Sequence, residues 1–290
     1  MPSYLVTGSK GQLGKCFHSI QSEFPQYQLL FASQSKVDIT QAQTLSNFLK
    51  NNPFEGIINC AAYTQVDQAE IDSDKANKIN SEGIQILIQI AEANNLKLIH
   101  FSTDFVFDGT KKSEYLEDDQ TNPLSIYGQS KREGEVYLDK ANCLSINFRI
   151  SWLYSPFGKN FVKTIIKACQ SKTTFKVVND QYGKPTYGLD LARAVLSCLD
   201  NPDLFKNKTY HFAQGPQTTW FSFAQKITEL IGSNCIVKPI PSSEYPTAAM
   251  RPPNSALKTQ LVENSLSLNI RPWESALEEC INIIRENEKV

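Results

Sequence analysis

Tyr127 and Lys131 stand four residues apart in the segment Asn122-Pro-Leu-Ser-Ile-Tyr-Gly-Gln-Ser-Lys131. On a helix that spacing puts both side chains on one face, where an ammonium group can stabilise the ionised form of a phenol. A phenol with an ordinary pKa of about 10 then becomes a usable proton donor or acceptor near neutrality. Of the eleven tyrosines, Tyr127 alone has a lysine four residues on. Without further groups beside it, the pair is equally an ordinary contact on a helix surface.

A second candidate lies at the start of the chain, in Thr7-Gly-Ser-Lys-Gly-Gln-Leu-Gly14. Gly8, Gly11 and Gly14 follow the first apolar run and open the first helical stretch, the context in which a dinucleotide is held. Glycines let the backbone approach a pyrophosphate, and the free amides and positive end of a helix favour its charge. The spacing is G-x-x-G-x-x-G, so a plain strand-turn-helix with convenient glycines is the bland alternative. An acid about 20 positions on would hold the ribose 2′-hydroxyl of NAD. Here the second apolar run leads into Ser33-Gln-Ser-Lys36 and the first acid is Asp38, while Lys10 and Lys36 are candidates to face a 2′-phosphate, the plain alternative for each being a solvated surface lysine. NADPH is therefore the favoured cofactor, with NADH left open.

These groups need elements to carry them. Apolar runs at Tyr4 to Thr7, Gln28 to Ala32, Gly56 to Cys60, Leu96 to Ser102 and Leu144 to Ile150 alternate with helical stretches. The helices are expected from about Leu13, over Ala42 to Lys50, over Asp74 to Ala93 and over Tyr127 to Lys140. Such alternation predicts an α/β fold, a doubly wound parallel (Rossmann) sheet covered on both faces. Ligands of such sheets sit at the carboxyl ends of the strands, so Ser102-Thr-Asp-Phe105 and Tyr127 are expected beside one crevice. Asn59, Ala61, Ala62 and Tyr63, after the third strand, would line the cofactor groove, although a buried strand end also favours small residues.

After Trp152 the rhythm weakens and ten prolines punctuate shorter elements. Helices are expected over Asn160 to Ser171, Leu189 to Leu199, Trp220 to Ile231 and Trp273 to Asn287. The division expected is a nucleotide-binding domain over residues 1–151 and a smaller mixed α/β, mainly substrate-binding domain over 152–290. Segments at about 177–213 return to the first domain, and no linker separates the two.

Composition excludes several classes. With 290 residues, 41% hydrophobic and 20% charged, and a net charge of -1, the chain reads as globular and lacks polyelectrolyte character. There is no basic stripe or RNA-binding motif, hence no expected nucleic-acid partner. No apolar run reaches about 18 residues and the start lacks a leader pattern, so neither membrane span nor export is expected. Seven scattered cysteines without a C-x-x-C pair read as reduced thiols in a cytoplasmic protein. Three scattered histidines offer no metal-ligand spacing, so no metal site is expected.

Taken with these motifs, the sequence resembles the extended short-chain dehydrogenase/reductase superfamily, and within it the dTDP-4-dehydrorhamnose reductases. The matching segments are Thr7 to Gly14, Asn59 to Glu70, Ser102 to Gly109, Asn122 to Lys131 and Arg149 to Tyr154. They continue through Gly183 to Thr186, Asp190 to Ala192, Tyr210 to Ala213, Trp220 and Arg251 to Leu257. The resemblance implies reduction of the 4-keto group of dTDP-6-deoxy-L-lyxo-4-hexulose to dTDP-L-rhamnose, a precursor of cell-surface polysaccharide. It implies that Tyr127 gives a proton to the developing alkoxide, that Lys131 holds the nicotinamide ribose and tunes Tyr127, and that Thr103 bonds the substrate oxygen. Cofactor contacts are implied for Gly8, Lys10, Gly11, Gln12, Leu13, Gly14, Asp38, Ile39, Ala61, Ala62, Tyr63 and Ser102. Substrate contacts are implied for Thr64, Val66, Thr103, Asp104, Phe105, Trp152 and Arg251. Trp152 could as well pack in the core, and Arg251 could be a surface residue rather than a diphosphate ligand.

One position departs from the pattern. Some members place an acid just after the glycine motif in a magnesium-linked dimer contact, whereas this chain has Lys15. A homodimer is compatible with the sequence, but nothing in it requires one. Two other readings compete: an epimerase or dehydratase using the same tyrosine on a nucleotide sugar, and a non-catalytic subunit resembling the regulatory subunit of methionine adenosyltransferase. The Arg149 and Arg251 segments weigh against the first, and the presence of Thr103, Tyr127 and Lys131 against the second.

Overall fold

The computed structural model describes residues 1–50, 53–206 and 209–288. Its first half contains β1 (Ser3–Thr7), α1 (Gln12–Ile20), β2 (Gln28–Phe31), α2 (Ala42–Lys50) and β3 (Gly56–Asn59). It continues with α3 (Val66–Ala69), α4 (Ser73–Asn77), α5 (Gly83–Asn94), β4 (Lys97–Thr103), α6 (Ile126–Asp139) and β5 (Ser145–Ile150). The second half begins with β6 (Leu153–Tyr154), α7 (Phe161–Ser171), β7 (Thr174–Val178), β8 (Tyr182–Gly183), β9 (Thr186–Tyr187) and α8 (Gly188–Cys198). It ends with β10 (Thr209–Phe212), β11 (Thr218–Thr219), α9 (Trp220–Leu230), β12 (Ile236–Ile240), α10 (Gln260–Leu266) and α11 (Trp273–Glu288).

Six strands form one parallel sheet in the order β10-β5-β4-β3-β1-β2. The order reverses beside β1, where a doubly wound sheet leaves a crevice. Alternate side chains feed two cores, as a period of two requires. Val6, Ile58, Ile99 and Ile146 join a core shared with the second half, including Phe223, Trp273 and Leu277. Leu5, Ile57 and Leu98 join one formed with Ile84, Leu87 and Ile88 of α5.

The helix expected over Asp74 to Ala93 is interrupted by a π-helical turn at Lys78–Glu82. The extra residue in such a turn redirects a side chain, here the buried Asn80. Its amide donates to the Tyr63 carbonyl and Ser130 Oγ and accepts from the Tyr63 N–H. Gly134 lets α6 come this close, since a Cβ there would lie 2.3 Å from the Asn80 carbonyl oxygen.

The parallel pair β7 and β12 was not legible in the sequence. Both strands are largely solvent-facing, so they carry neither an apolar run nor a clean alternation, and Pro239 sits inside β12. No described helix is long and apolar enough to cross a membrane.

Candidate active site

The glycine loop lies where β1 ends against the segment after β3. Gly8 has φ +60°, and a Cβ there would lie 2.6 Å from the Ala61 nitrogen. Gly14 tucks α1 under the loop, since a Cβ there would lie 2.6 Å from the Gly8 carbonyl oxygen. Together these positions leave room for a cavity of about 400 Å³, lined by Gly8, Lys10, Gly11, Ser33, Ser35, Asp38, Ile39, Ala61 and Ala62. Small residues, the open end of α1 and a lysine and two serines on the cavity wall suit a dinucleotide with a phosphorylated ribose.

Several of the expected residues do not line this cavity with their side chains. Lys36 is exposed and does not line the cavity. The Leu13 side chain is in the core, and Gln12 turns away to donate to the Leu153 carbonyl at 3.1 Å and accept from Asn160 at 2.7 Å. Tyr63 is buried against Ala69 and Ala76. Asp38 takes hydrogen bonds from the Thr40 amide and hydroxyl at 2.9 and 2.8 Å. Burial raises its proton affinity, but these bonds, one from Gln34 and the charge of Lys78 outweigh it, and the carboxyl ends below its ordinary range.

The proposed chemical groups converge at the end of β4. Ser125 caps α6 by accepting from the Gly128 amide, and the Ile126 amide donates to Glu70 at 2.9 Å, so Tyr127 stands in a fixed first turn. Thr103 is buried at the last position of β4 and donates to Asp104 Oδ1 at 3.1 Å. The Tyr127 ring meets Phe105 edge to face at 5.7 Å. Burial pushes the Tyr127 phenol up to about 12, a hydrogen bond with Thr103 acts against this, and the Asp104 carboxylate adds to it.

The expected tuning of the phenol by its lysine is not among these influences. Lys131 is buried and donates to the Phe101 carbonyl at 2.5 Å, with His100 Nε2 at 3.4 Å. Burial pulls the Lys131 ammonium down to about 8, against the charge of Glu135. Glu135 is in turn gripped by Arg149 through two bonds of 2.9 Å. The arrangement therefore keeps Tyr127 protonated, as a proton donor must be.

A second cavity, of about 640 Å³, opens beside this cluster and is lined by Phe105, Trp152, Trp220, Tyr245, Arg251 and Ser255 among others. Ser255 donates to Asp104 Oδ2 at 2.5 Å, tying the last part of the chain to the end of β4. Trp152 has a left-handed backbone, φ 48°, and stacks on Trp220 at 3.7 Å. A bulky non-glycine residue in that region is uncommon and is held there by its surroundings. Of the remaining expected contacts, Thr64 is exposed and Val66 is half-buried at the start of α3.

The sequence has many known counterparts. Residues 3–286 match the family model described as RmlD substrate binding domain. The dTDP-4-dehydrorhamnose reductase of Aggregatibacter actinomycetemcomitans is 35% identical, over 96% of this chain and 97% of the relative. The chain belongs to the dTDP-4-dehydrorhamnose reductase family. The fold of this reductase family is reproduced throughout: the Clostridium acetobutylicum reductase crystal structure is 35% identical, with a TM-score of 0.92 over 98% of this chain and 99% of that one. The Bacillus anthracis reductase, solved in complex with NADP, is 33% identical, with a TM-score of 0.91 over 97% of this chain and 99% of that one.

Within this reductase fold, four residues near the site were not singled out by sequence reasoning. Asp67 grips Arg251, Ser255 holds Asp104, Trp220 backs Trp152, and His100 lies against Lys131. Asp67, Trp220 and Ser255 lay inside segments carrying the resemblance, but His100 gave no signal, because its partner is distant in sequence.

Proposed function

We propose that this protein reduces the C4 keto group of dTDP-6-deoxy-L-lyxo-4-hexulose to give dTDP-L-rhamnose, using NADPH. The observation that supports this reading is the hydrogen bond between Thr103 and Tyr127 at the end of β4, with Lys131 bonded to the Phe101 carbonyl of the same strand and Phe105 on the wall of the larger cavity. Family membership supplies the substrate class.

When bound, the nicotinamide cofactor supplies the hydride. The residues of the chain do the rest. Gly8, Gly11 and Gly14 admit the pyrophosphate, and Lys10 with Ser33 and Ser35 receives the 2′-phosphate. Thr103 bonds the carbonyl oxygen and Tyr127 protonates it as charge develops, with Lys131 on the ribose. Trp152 and Phe105 wall the sugar, while Arg251 is set to meet the diphosphate. In this reading residues 152–290 form mainly the substrate-binding part, although β10 belongs to the central sheet. Seven cysteines scattered along the sequence, without a C-x-x-C pair, support a reducing cytoplasm.

NADPH oxidation with this 4-keto sugar, compared with related 4-keto sugars, tests the reading. One NADPH consumed per sugar reduced is expected, and Tyr127→Phe is expected to bind NADPH while losing about 100-fold or more in turnover. Absence of turnover on any of these sugars would remove the assignment. An epimerase or dehydratase would return its nicotinamide unchanged, so stoichiometric consumption separates it from a reductase.

A further inference from the structure

A chain of buried polar groups runs through the sheet behind the site. Thr7 Oγ1 donates to Asn59 Oδ1 at 2.6 Å, and the Ala61 amide donates to the same oxygen at 3.2 Å. Asn59 Nδ2 lies 3.2 Å from His100 Nδ1, and His100 Nε2 lies 3.4 Å from Lys131 Nζ. Thr7, Asn59, His100 and Lys131 are at most 2% exposed, so each donor must find an acceptor inside the protein.

The fixed donor in this chain is the Ala61 N–H, which cannot be reversed. It orients the Asn59 amide with its oxygen towards Ala61 and its NH₂ towards His100. An NH₂ donor needs a lone pair opposite, so His100 Nδ1 carries no proton. A neutral imidazole then carries its proton on Nε2, facing Lys131. An ammonium there would place N–H against N–H, whereas a neutral amine offers the lone pair that the imidazole N–H requires.

We infer that His100, locked by Asn59 as the Nε2–H tautomer, is a positioning residue that lowers the proton affinity of Lys131. This inference rests on the reductase reading for its bearing on turnover, not for the geometry. His100 is neutral here because burial, and then the charge of Lys131, pull its proton affinity well below the ordinary value. Burial of Lys131 works in the same direction as the imidazole N–H.

The other groups around Lys131 do not remove the effect. Tyr127 and Glu135 stand one turn away on either side along α6, and the charge of Glu135 favours the charged lysine, as does the bond to the Phe101 carbonyl. Its carboxylate is shared with Arg149 from β5 and Arg132. The π-helical turn packed on α6 contributes the neutral Asn80, bonded to Ser130. From β4 come His100 and the Phe101 carbonyl, which accepts from Lys131 in either protonation state.

Asn59→Asp tests the lock directly, because a carboxylate can still accept from Thr7 and Ala61 but now calls for Nδ1–H on the imidazole. Two readouts in the protein without substrate are the ¹⁵N spectrum of His100, one of three histidines, and the ¹³Cε titration of Lys131. The wild type is expected to show Nε2–H from pH 6 to 9 and a lysine titrating below the exposed ones. Asn59→Asp is expected to switch the tautomer and raise the Lys131 titration by about one pH unit, moving the basic limb of kcat/KM with it. In a His100→Leu background the same substitution should move Lys131 little.

An Nδ1–H tautomer in the wild type would overturn the inference, even if no variant folds. So would an equal rise with and without His100, which would be a charge acting through space. If the sugar is not turned over but both spectra behave as expected, the reductase reading fails and the tuning of Lys131 stands.

Discussion

Arg251 and Asp67 form a two-pronged ion pair, Nη2 to Oδ2 at 2.7 Å and Nη1 to Oδ1 at 2.9 Å, across 184 residues of sequence. The Arg251 bond and charge, with amides from Ala249 and Ala248, outweigh burial and hold the Asp67 carboxyl below its ordinary range. The guanidinium that would meet a diphosphate is thus already oriented, on the wall of the larger cavity. Arg251→Ala is expected to raise KM for the nucleotide sugar tenfold or more, while NADPH affinity stays unchanged. Asp67→Asn keeps the shape but removes the competing charge, and should leave that KM equal or lower. If both variants raised KM alike, the pair would be a structural tie rather than an oriented phosphate ligand.

The cofactor end makes its own prediction. Lys10 lines the cavity together with Ser33 and Ser35, while the Asp38 carboxylate is occupied by Thr40. Lys10→Ala is expected to weaken NADPH binding about tenfold and NADH binding hardly at all, as removal of one phosphate contact would. Fluorescence titration with both nucleotides measures this. Equal weakening of the two would place Lys10 on the shared pyrophosphate instead.

What the sequence disclosed about this site follows the range of the signals it carries. Strands β1, β3, β4 and β5 were legible because they are almost wholly buried and read as apolar runs, and the glycine loop because of its spacing, whereas β10 was not expected as a strand. Tyr127 and Lys131 were legible as a pair by spacing, yet their relation was not. The lysine's partners, His100 and the Phe101 carbonyl, come from β4, and no local pattern announces them. The same holds for Asp67 with Arg251, and for β7 with β12, whose residues are half exposed. The expected Asp74 to Ala93 helix failed at Asn80, where tertiary bonds to Tyr63 and Ser130 reward a π turn that helical periodicity does not register.

Gly183 carries the third prediction. A Cβ at this position would lie 2.6 Å from Trp152 Cε2 and 2.7 Å from Cζ2, and the indole is already stacked on Trp220. Gly183→Ala must therefore displace Trp152, at a cost of about 1–3 kcal/mol for forced repacking. The near-ultraviolet circular dichroism of the stacked indoles should weaken, and KM for the sugar nucleotide should rise with little change for NADPH. An unchanged tryptophan signal would show that the ring has another place to go.

Asp104 gives the clearest dependence on pH. Burial pushes its carboxyl up to about 7, against hydrogen bonds from Ser255 and Thr103, whereas in the unfolded chain it titrates near 3.8. Between those values the folded state binds the proton and the unfolded state does not, so this group's contribution to stability falls as pH rises from about 4 to 7. The difference corresponds to on the order of 4 kcal/mol. His211 acts with the opposite sign. Burial and the Arg149 charge hold it near 3, so it favours folding increasingly as pH rises towards 6.5. The two slopes partly cancel in the wild type, and a substitution is needed to separate them. Asp104→Asn removes the ionisation while Ser255 can turn its hydroxyl to accept. Urea unfolding should show Asp104→Asn close to wild type at pH 4 and more stable than wild type at pH 8. A variant that is equally or more destabilised at pH 8 would mean that the Asp104 carboxylate, held by Ser255 and Thr103, contributes to stability in its charged form.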